Sequence, residues 1–261
     1  MGPLAGRRIV VTRAREQAGD LVRALEALGA EVVAAPVIRI EPLADLAPLR
    51  AALAGLSRYR WLVFTSQNTV DIVCDRLPAW GLAPRELGRV AVAAIGPATA
   101  EALQRRGVTP DLVPDRFVAE AVVAAIAARG ELAGSRVLVP RALEARDALP
   151  EGLRACGAVV DVIPVYRTVP EGGDGTALAA DLVAGRVDAV TFTSSSTVRH
   201  FADLVGREAA TGGRFAAVVI GPVTAAAARE LGLHVAVEAE QYTVPGLVAA
   251  LARHFGRRDR A

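Results

Sequence analysis

Short apolar runs alternate with amphipathic stretches along the whole chain. The runs are Ile9 to Thr12, Glu31 to Pro36, Trp61 to Thr65, Val90 to Ile95, Val137 to Val139, Val159 to Ile163, Ala189 to Thr193 and Ala216 to Ile220. Their length and their turn-forming flanks predict buried strands. Between them, Glu16 to Leu28 carries Leu21, Val22, Leu25 and Leu28 on one helical face and stops at Gly29. Leu149 and Leu153 lie on a helix that stops in the same way at Gly157. Glycine is the residue that ends a helix at least conformational cost. Two further helices open with Pro97 or Pro222 in first position and close before Gly107 or Gly232. Alternation of strand and helix predicts parallel sheets with right-handed crossovers. The expected class is α/β, in flavodoxin-like domains.

The pattern occurs twice. At a shift of 128 residues, Gly6 to Glu16 falls on Gly134 to Glu144, and Phe64-Thr65-Ser66 on Phe192-Thr193-Ser194. At a shift of 125, Ile95-Gly96-Pro97 and Thr99 fall on Ile220-Gly221-Pro222 and Thr224. Phe117 falls on Tyr242 in the same way, which predicts a packing aromatic at a loop. A period of this size is a domain, not a solenoid unit. Two similar domains are therefore expected, and a cleft between such domains suits a large ligand. The segments Pro36 to Pro42 and Pro164 to Pro170 occupy equivalent places, and each is bracketed by proline. They read equally as interior strands with loops or as twin connectors.

Composition narrows the chemistry. Hydrophobic residues make up 52% of the chain and aromatic residues 4%, so the core is aliphatic, as in buried parallel sheets. The net charge of +2 makes no case for nucleic acid or for a membrane surface. No apolar run is long enough to span a bilayer, and a signal-peptide core is not evident, so a cytoplasmic protein is expected. The Arg257 to Arg260 run reads as a solvated tail. Every one of the 30 basic residues is arginine, which excludes Schiff-base lysine chemistry and a P-loop lysine. His200, His234, His254, Cys74 and Cys156 lack metal-ligand spacing, and each cysteine reads as a small buried apolar group. Without a Gly-x-Gly-x-x-Gly fingerprint, a nucleotide enzyme of the Rossmann type is disfavoured.

Four loops follow strands and start helices. They are Thr65 to Thr69, Gly96 to Thr99, Thr193 to Thr197 and Gly221 to Thr224. Free amides and partial positive charge at a helix start, with Ser and Thr hydroxyls added, bind carboxylates or phosphates without a cationic side chain. The same residues are also ordinary helix caps. All four loops lie at carboxyl ends of strands, where open α/β sheets bind ligands. Thr12-Arg13 and Pro140-Arg141 follow strands at matching positions, and arginine there suits a carboxylate or a solvated helix start equally. Of three tyrosines, Tyr59 sits between Arg58 and Arg60 and reads as surface packing. Tyr166 breaks the repeat, because Ile38 holds its place in the first half.

Pro164-Val-Tyr-Arg-Thr168, Phe192 to Thr197, Ile220-Gly-Pro-Val-Thr224, Val11-Thr-Arg13 and Phe64-Thr-Ser66 resemble the uroporphyrinogen-III synthase family, over about Gly6 to Leu251. The resemblance implies two flavodoxin-like domains joined by a two-stranded ladder. One domain would be 1–37 with 168–261, the other 41–164, and the connectors 36–42 and 164–170. It implies no metal and no organic cofactor. The implied substrate is hydroxymethylbilane, with eight carboxylates, which is closed to the III isomer with inversion of ring D. Tyr166 falls on the tyrosine that hydrogen-bonds the departing hydroxyl. Thr65, Ser66, Gly96, Thr99, Ser194, Ser195, Ser196, Thr197, Gly221 and Thr224 would hold acetate and propionate groups, with Thr12, Arg13 and Arg141 beside them. A monomer is expected, with transient hand-over of substrate from hydroxymethylbilane synthase. The rival expectation is a non-catalytic two-domain module that binds an anionic metabolite.

Overall fold

The computed structural model describes residues 2–130 and 132–258, with the side chains of Arg257 and Arg258 set aside. The Arg257 to Arg260 run thus lies outside the residues whose side chains are described. Ten strands occur among the described residues. In chain order they are β1 (Arg8–Val11), β2 (Glu31–Ala34), β3 (Ile38–Pro42), β4 (Trp61–Phe64), β5 (Ala91–Ala94), β6 (Arg136–Ala142), β7 (Val159–Pro170), β8 (Ala189–Phe192), β9 (Ala216–Val219) and β10 (Val235–Glu238). They form two five-stranded sheets.

The chain divides into two compact units, Met1–Arg39 with Val169–Ala261, and Ile40–Thr168. In the first unit the sheet order is β2-β1-β8-β9-β10, with the pairs parallel. Numbered within the unit this is 2-1-3-4-5, the flavodoxin-like winding. The second unit repeats it as β7-β6-β4-β5, again parallel, with β3 added beside β7. The counterpart of β10 shrinks there to a single bridge, Ala93 to Leu112. Pro110 and Pro114 bracket that segment, and proline cannot donate to a ladder. The α/β class with two similar parallel-sheet domains therefore stands.

The eight predicted runs form strands, while Ile38–Pro42, left open between strand and connector, and Val235–Glu238, which the pattern did not single out, make up the ten. In β4 all four residues are buried, with Trp61 and Val63 in one cluster and Leu62 and Phe64 in another. A strand covered on both faces needs such an unbroken run. The helix Arg15–Ala27 buries Ala18, Leu21 and Leu25, one stripe at helical spacing. Gly29 and Gly157 take the left-handed conformation after matching helices, at φ of 90° and 87°. Burying each Leu, Val or Ile contributes about 1.5–3 kcal/mol before entropy is charged.

Two expectations fail on burial. Cys156 is exposed: it is the residue just past the helix Ala148–Ala155, beyond Leu153, the last buried residue of that helix. Tyr59 is buried rather than on the surface, since its ring packs with Leu56 and Leu62. Its hydroxyl donates to Asp161 Oδ2 at 2.7 Å, and Asp161 also accepts from Arg136. Burial, then the Asp161 carboxylate, pushes the Tyr59 phenol up to about 12. A raised phenol pKa favours the neutral form. Its stabilisation is complete below pH about 10 and is lost as pH climbs to about 12. Tyr59→Phe is expected to be less stable at neutral pH but to lose that alkaline slope. Thermal melts across pH about 9 to about 12 check this; parallel curves for both proteins would refute it.

Candidate functional site

The four predicted loops start four helices. In the second unit, Ser66 caps the helix Gln67–Arg76 and Gly96 caps Pro97–Arg105. In the first unit, Ser194 caps Ser195–Val205 and Gly221 caps Pro222–Glu230. Each loop follows the carboxyl end of a parallel strand: β4, β5, β8 and β9. Ser66 Oγ accepts from Thr69 N–H at 3.1 Å, and Ser194 Oγ accepts from Thr197 N–H at 3.2 Å. Gly96 and Gly221 are needed for close approach, not for dihedral freedom. A Cβ there would lie 3.0 Å from the Phe117 ring or the Tyr242 ring. The aromatic pair expected from the repeat thus packs against both glycine loops.

Hydroxyl availability differs among the predicted residues. Thr99 and Thr224 sit in the first turn of their helices, each 4% exposed, and neither hydroxyl has a partner among the described residues. Thr65 and Thr193 are half-buried in the loops, as are Ser66, Ser194, Ser195 and Ser196. Ser194 Oγ lies 2.9 Å from Ser196 Oγ, and Ser195 Oγ donates to Val223 O at 3.3 Å.

Three expected side chains are committed elsewhere. Thr12 is fully buried, and its hydroxyl donates to Thr191 O at 2.7 Å, tying β1 to β8. Thr197 is fully buried, and its hydroxyl donates to Ser194 O at 2.7 Å within the cap. Arg141 is 9% exposed and turns inward, donating to Asp147 Oδ1 at 2.7 Å and Arg146 O at 3.0 Å. It does bind a carboxylate, but that of its own loop; a buried guanidinium needs an internal partner. Arg13 at the matching position is different. It is half-buried, with Nε 3.4 Å from Gln17 Oε1. Burial lowers its pKa against the opposing pull of Asp20, and it remains a cation.

Tyr166 lies on β7, which runs on for twelve residues. The β6–β7 register slips between Arg141 and Ala142, so that Arg141 faces Pro164 and Ala142 faces Tyr166. An extra residue in one strand re-aims the side chains beyond it. The backbone of Tyr166 is anchored by Leu143 N–H, which donates to Tyr166 O at 2.8 Å. Its side chain belongs to the core cluster of the second unit and reaches the loop after β4, where the hydroxyl lies 3.1 Å from Ser66 Oγ. Burial pushes this phenol above the ordinary 10, while hydrogen bonds from Ser66, Asn68 and Thr69 pull it down. The phenol is thus a neutral donor near pH 7. Asn68 and Thr69 were not singled out from the sequence. The repeated Ser-x-x-Thr spacing, Ser66 with Thr69 and Ser194 with Thr197, was the available signal for Thr69.

Fold and site together define a duplicated, doubly wound α/β protein. It carries hydroxyl-lined helix starts at the carboxyl ends of both sheets and one buried tyrosine beside one of them. The family model described as "Uroporphyrinogen-III synthase HemD" matches residues 19–249, and the chain belongs to that family. A relative named uroporphyrinogen-III synthase from Synechococcus elongatus is 34% identical, covering 95% of this chain and 96% of the relative. One of the same name from Chlorobaculum parvum is 30% identical over 94% of this chain and 97% of its own. A crystallised mutant uroporphyrinogen III synthase from Thermus thermophilus superposes with TM-score 0.67 at 21% identity, covering 97% of this chain and 100% of that one. The Helicobacter pylori enzyme gives 0.59 at 18% identity, covering 95% and 99%. At those identities the structures speak for the fold alone. Among the described residues no helix is long and apolar enough to cross a membrane.

Proposed function

We propose that this chain is a uroporphyrinogen-III synthase, a cyclising lyase. It would dehydrate hydroxymethylbilane and close it to uroporphyrinogen III with ring D inverted. The observation that carries the reading is the neutral Tyr166 phenol, buried and held beside a helix-start loop. In the first step the ring A hydroxyl leaves as water, which takes a proton, and an electrophilic azafulvene remains. Ring D attacks through its substituted carbon, and the spiro intermediate rearranges and closes. Tyr166 supplies the hydrogen bond and proton to the departing hydroxyl. The rest of the task is positioning, because free bilane closes readily to the I isomer.

Acetate and propionate groups would be held by backbone amides and hydroxyls. Thr65, Gly96, Thr99 and the backbone N–H of Ser66 would serve in one unit, and Ser194, Ser195, Ser196, Gly221 and Thr224 in the other. Arg13 would add a cation. Thr99 and Thr224 are the best-placed hydroxyls, being in the first helical turn and without a partner among the described residues. Thr224→Val is expected to raise KM for the bilane about tenfold with kcat little changed, as a hydrogen bond to a carboxylate contributes about 1.5–3 kcal/mol. An unaltered KM would remove Thr224 from the binding set. The same reading has the protein working as a cytoplasmic monomer that takes its bilane from hydroxymethylbilane synthase.

The deciding experiment supplies the pure protein with hydroxymethylbilane made in place by its deaminase, then oxidises the products and separates the isomers. Protein-dependent uroporphyrin III supports the enzyme. Isomer I alone, at the spontaneous rate, would leave a non-catalytic anion-binding module.

A further inference from the structure

Ser66 Oγ is the node of a small network. It lies 3.1 Å from Thr69 N, 2.9 Å from Thr69 Oγ1 and 3.1 Å from the Tyr166 hydroxyl. A serine hydroxyl has one proton to give and two lone pairs. Thr69 N–H can only donate, so it fills one lone pair. The Thr69 hydroxyl is fully buried, so its proton must also find an acceptor.

The matching helix start in the other unit shows the alternative arrangement. There the Thr197 proton goes to the backbone carbonyl of Ser194 at 2.7 Å, which leaves Ser194 Oγ free to pair with Ser196. Thr69 makes no such bond to its own cap carbonyl and faces Ser66 Oγ instead. Its proton has two acceptors in reach, Ser66 Oγ at 2.9 Å and the Tyr166 oxygen; given to Ser66, it fills the second lone pair. The only proton left on Ser66 Oγ then points at the Tyr166 oxygen.

We infer that Ser66 and Thr69 form a one-way hydrogen-bond chain, Thr69 to Ser66 to Tyr166, that fills a lone pair of the phenol and leaves the phenol's own proton for another acceptor. Ser66 and Thr69 are positioning residues in this scheme, and the inference rests on the reading of Tyr166 as proton donor. When the carbon–oxygen bond of the ring A hydroxymethyl group breaks, the hydroxyl leaves as water with the phenol's proton. The bond from Ser66 stabilises the phenolate that remains. Tyr166 recovers a proton from the pyrrole that re-aromatises on closure. The repeat makes the case sharper: the first unit has Ile38 where the second has Tyr166, and its cap uses the other proton order.

The sign of one shift tests the order. The whole protein is labelled with 3-fluorotyrosine, and the three tyrosines are followed by fluorine NMR against pH, with Tyr166 identified by its loss in Tyr166→Phe. If Ser66 donates to the phenol, Ser66→Ala removes a bond that favours phenolate, and the Tyr166 pKa rises by about half a unit or more. A fall, or no change, would mean that the phenol donates to Ser66 or is not bonded to it, and would overturn the inference. Thr69→Val retains the capping N–H, so it serves if Ser66→Ala does not fold; the same rise is expected. In the bilane assay Thr69→Val should lower kcat about threefold or more with KM unchanged, and Thr69→Ser should restore it. A raised KM with intact kcat would mark Thr69 as a binding or folding residue. If the unmodified protein forms no isomer III, the catalytic reading fails by itself, while the sign of the pKa shift still judges the hydrogen-bond order.

Discussion

Tyr166→Phe is expected to slow catalysed closure about 30-fold while isomer III remains the main product. A positioned general acid is typically worth about 100-fold to 10,000-fold. The share here is smaller, because the pyrrole nitrogen of ring A helps to expel the hydroxyl without any help from the protein. Isomer choice depends on where ring D is held, and that is the work of the helix-start loops, of which the substitution alters only the bond to Ser66. The ring of Tyr166 lies in the buried core cluster, so phenylalanine keeps the apolar contacts. The expected pattern is a lower kcat, an unchanged KM and an unchanged isomer ratio, read from timed product analysis. Burial raises the phenol above its ordinary value, so the acid form persists through neutral pH. The rate of the unmodified protein should hold into the alkaline range and then fall as the phenol ionises. The Phe variant should lack that falling limb. Equal kcat for the two proteins would reduce Tyr166 to a packing residue.

Trp61→Ala is expected to destabilise the second unit by about 4 kcal/mol, since truncating a large buried ring removes its transfer energy and leaves a cavity. Trp61 is fully buried on β4, between β5 and β6, and Arg129 lies over its ring at 5.4 Å. Its Nε1 is buried and has no hydrogen-bond partner among the described residues. That orphaned donor makes a second, sharper expectation. Trp61→Phe should cost only about 1 kcal/mol, because losing an unpaired buried N–H offsets part of the lost contact area. Urea unfolding followed by Trp80 fluorescence, which reports the same unit, measures both. A Phe variant as unstable as the Ala variant would show that the indole N–H is satisfied.

Much of the architecture was legible because its signals are local or repeated. The all-apolar runs of β1, β4, β8 and β9 need no partner to be recognised as buried strands. Gly29 and Gly157 end equivalent helices because the backbone there is left-handed. The glycine-and-aromatic pairs, Gly96 with Phe117 and Gly221 with Tyr242, are visible as a repeat and acquire their meaning as ring against backbone. Side-chain commitment was not legible. Thr12, Thr197 and Arg141 are hydroxyls and a guanidinium in loops that look able to bind ligands. Each has instead been taken by a neighbour: Thr191 across the sheet, Ser194 in the same cap, and Asp147 at the far end of the loop that follows β6. Tyr59 reads as a surface residue between two arginines; it joins the core instead, and Asp161 from β7, 102 positions along the chain, accepts the hydrogen bond of its hydroxyl.

By itself the sequence determined the class, the duplication, eight of the ten strands, the helices that the repeat marks, and the singularity of Tyr166. Those follow from periodicity and from comparing the chain with itself, which require no coordinates. Tertiary structure alone decided which polar groups remain free for a ligand and which way the protons run. It set Ser66 against Tyr166 across 100 positions, through a slipped register between β6 and β7. A hydrogen bond is directional and each proton can be given once. The role of a hydroxyl is therefore settled only when every neighbour that competes for that proton is in place.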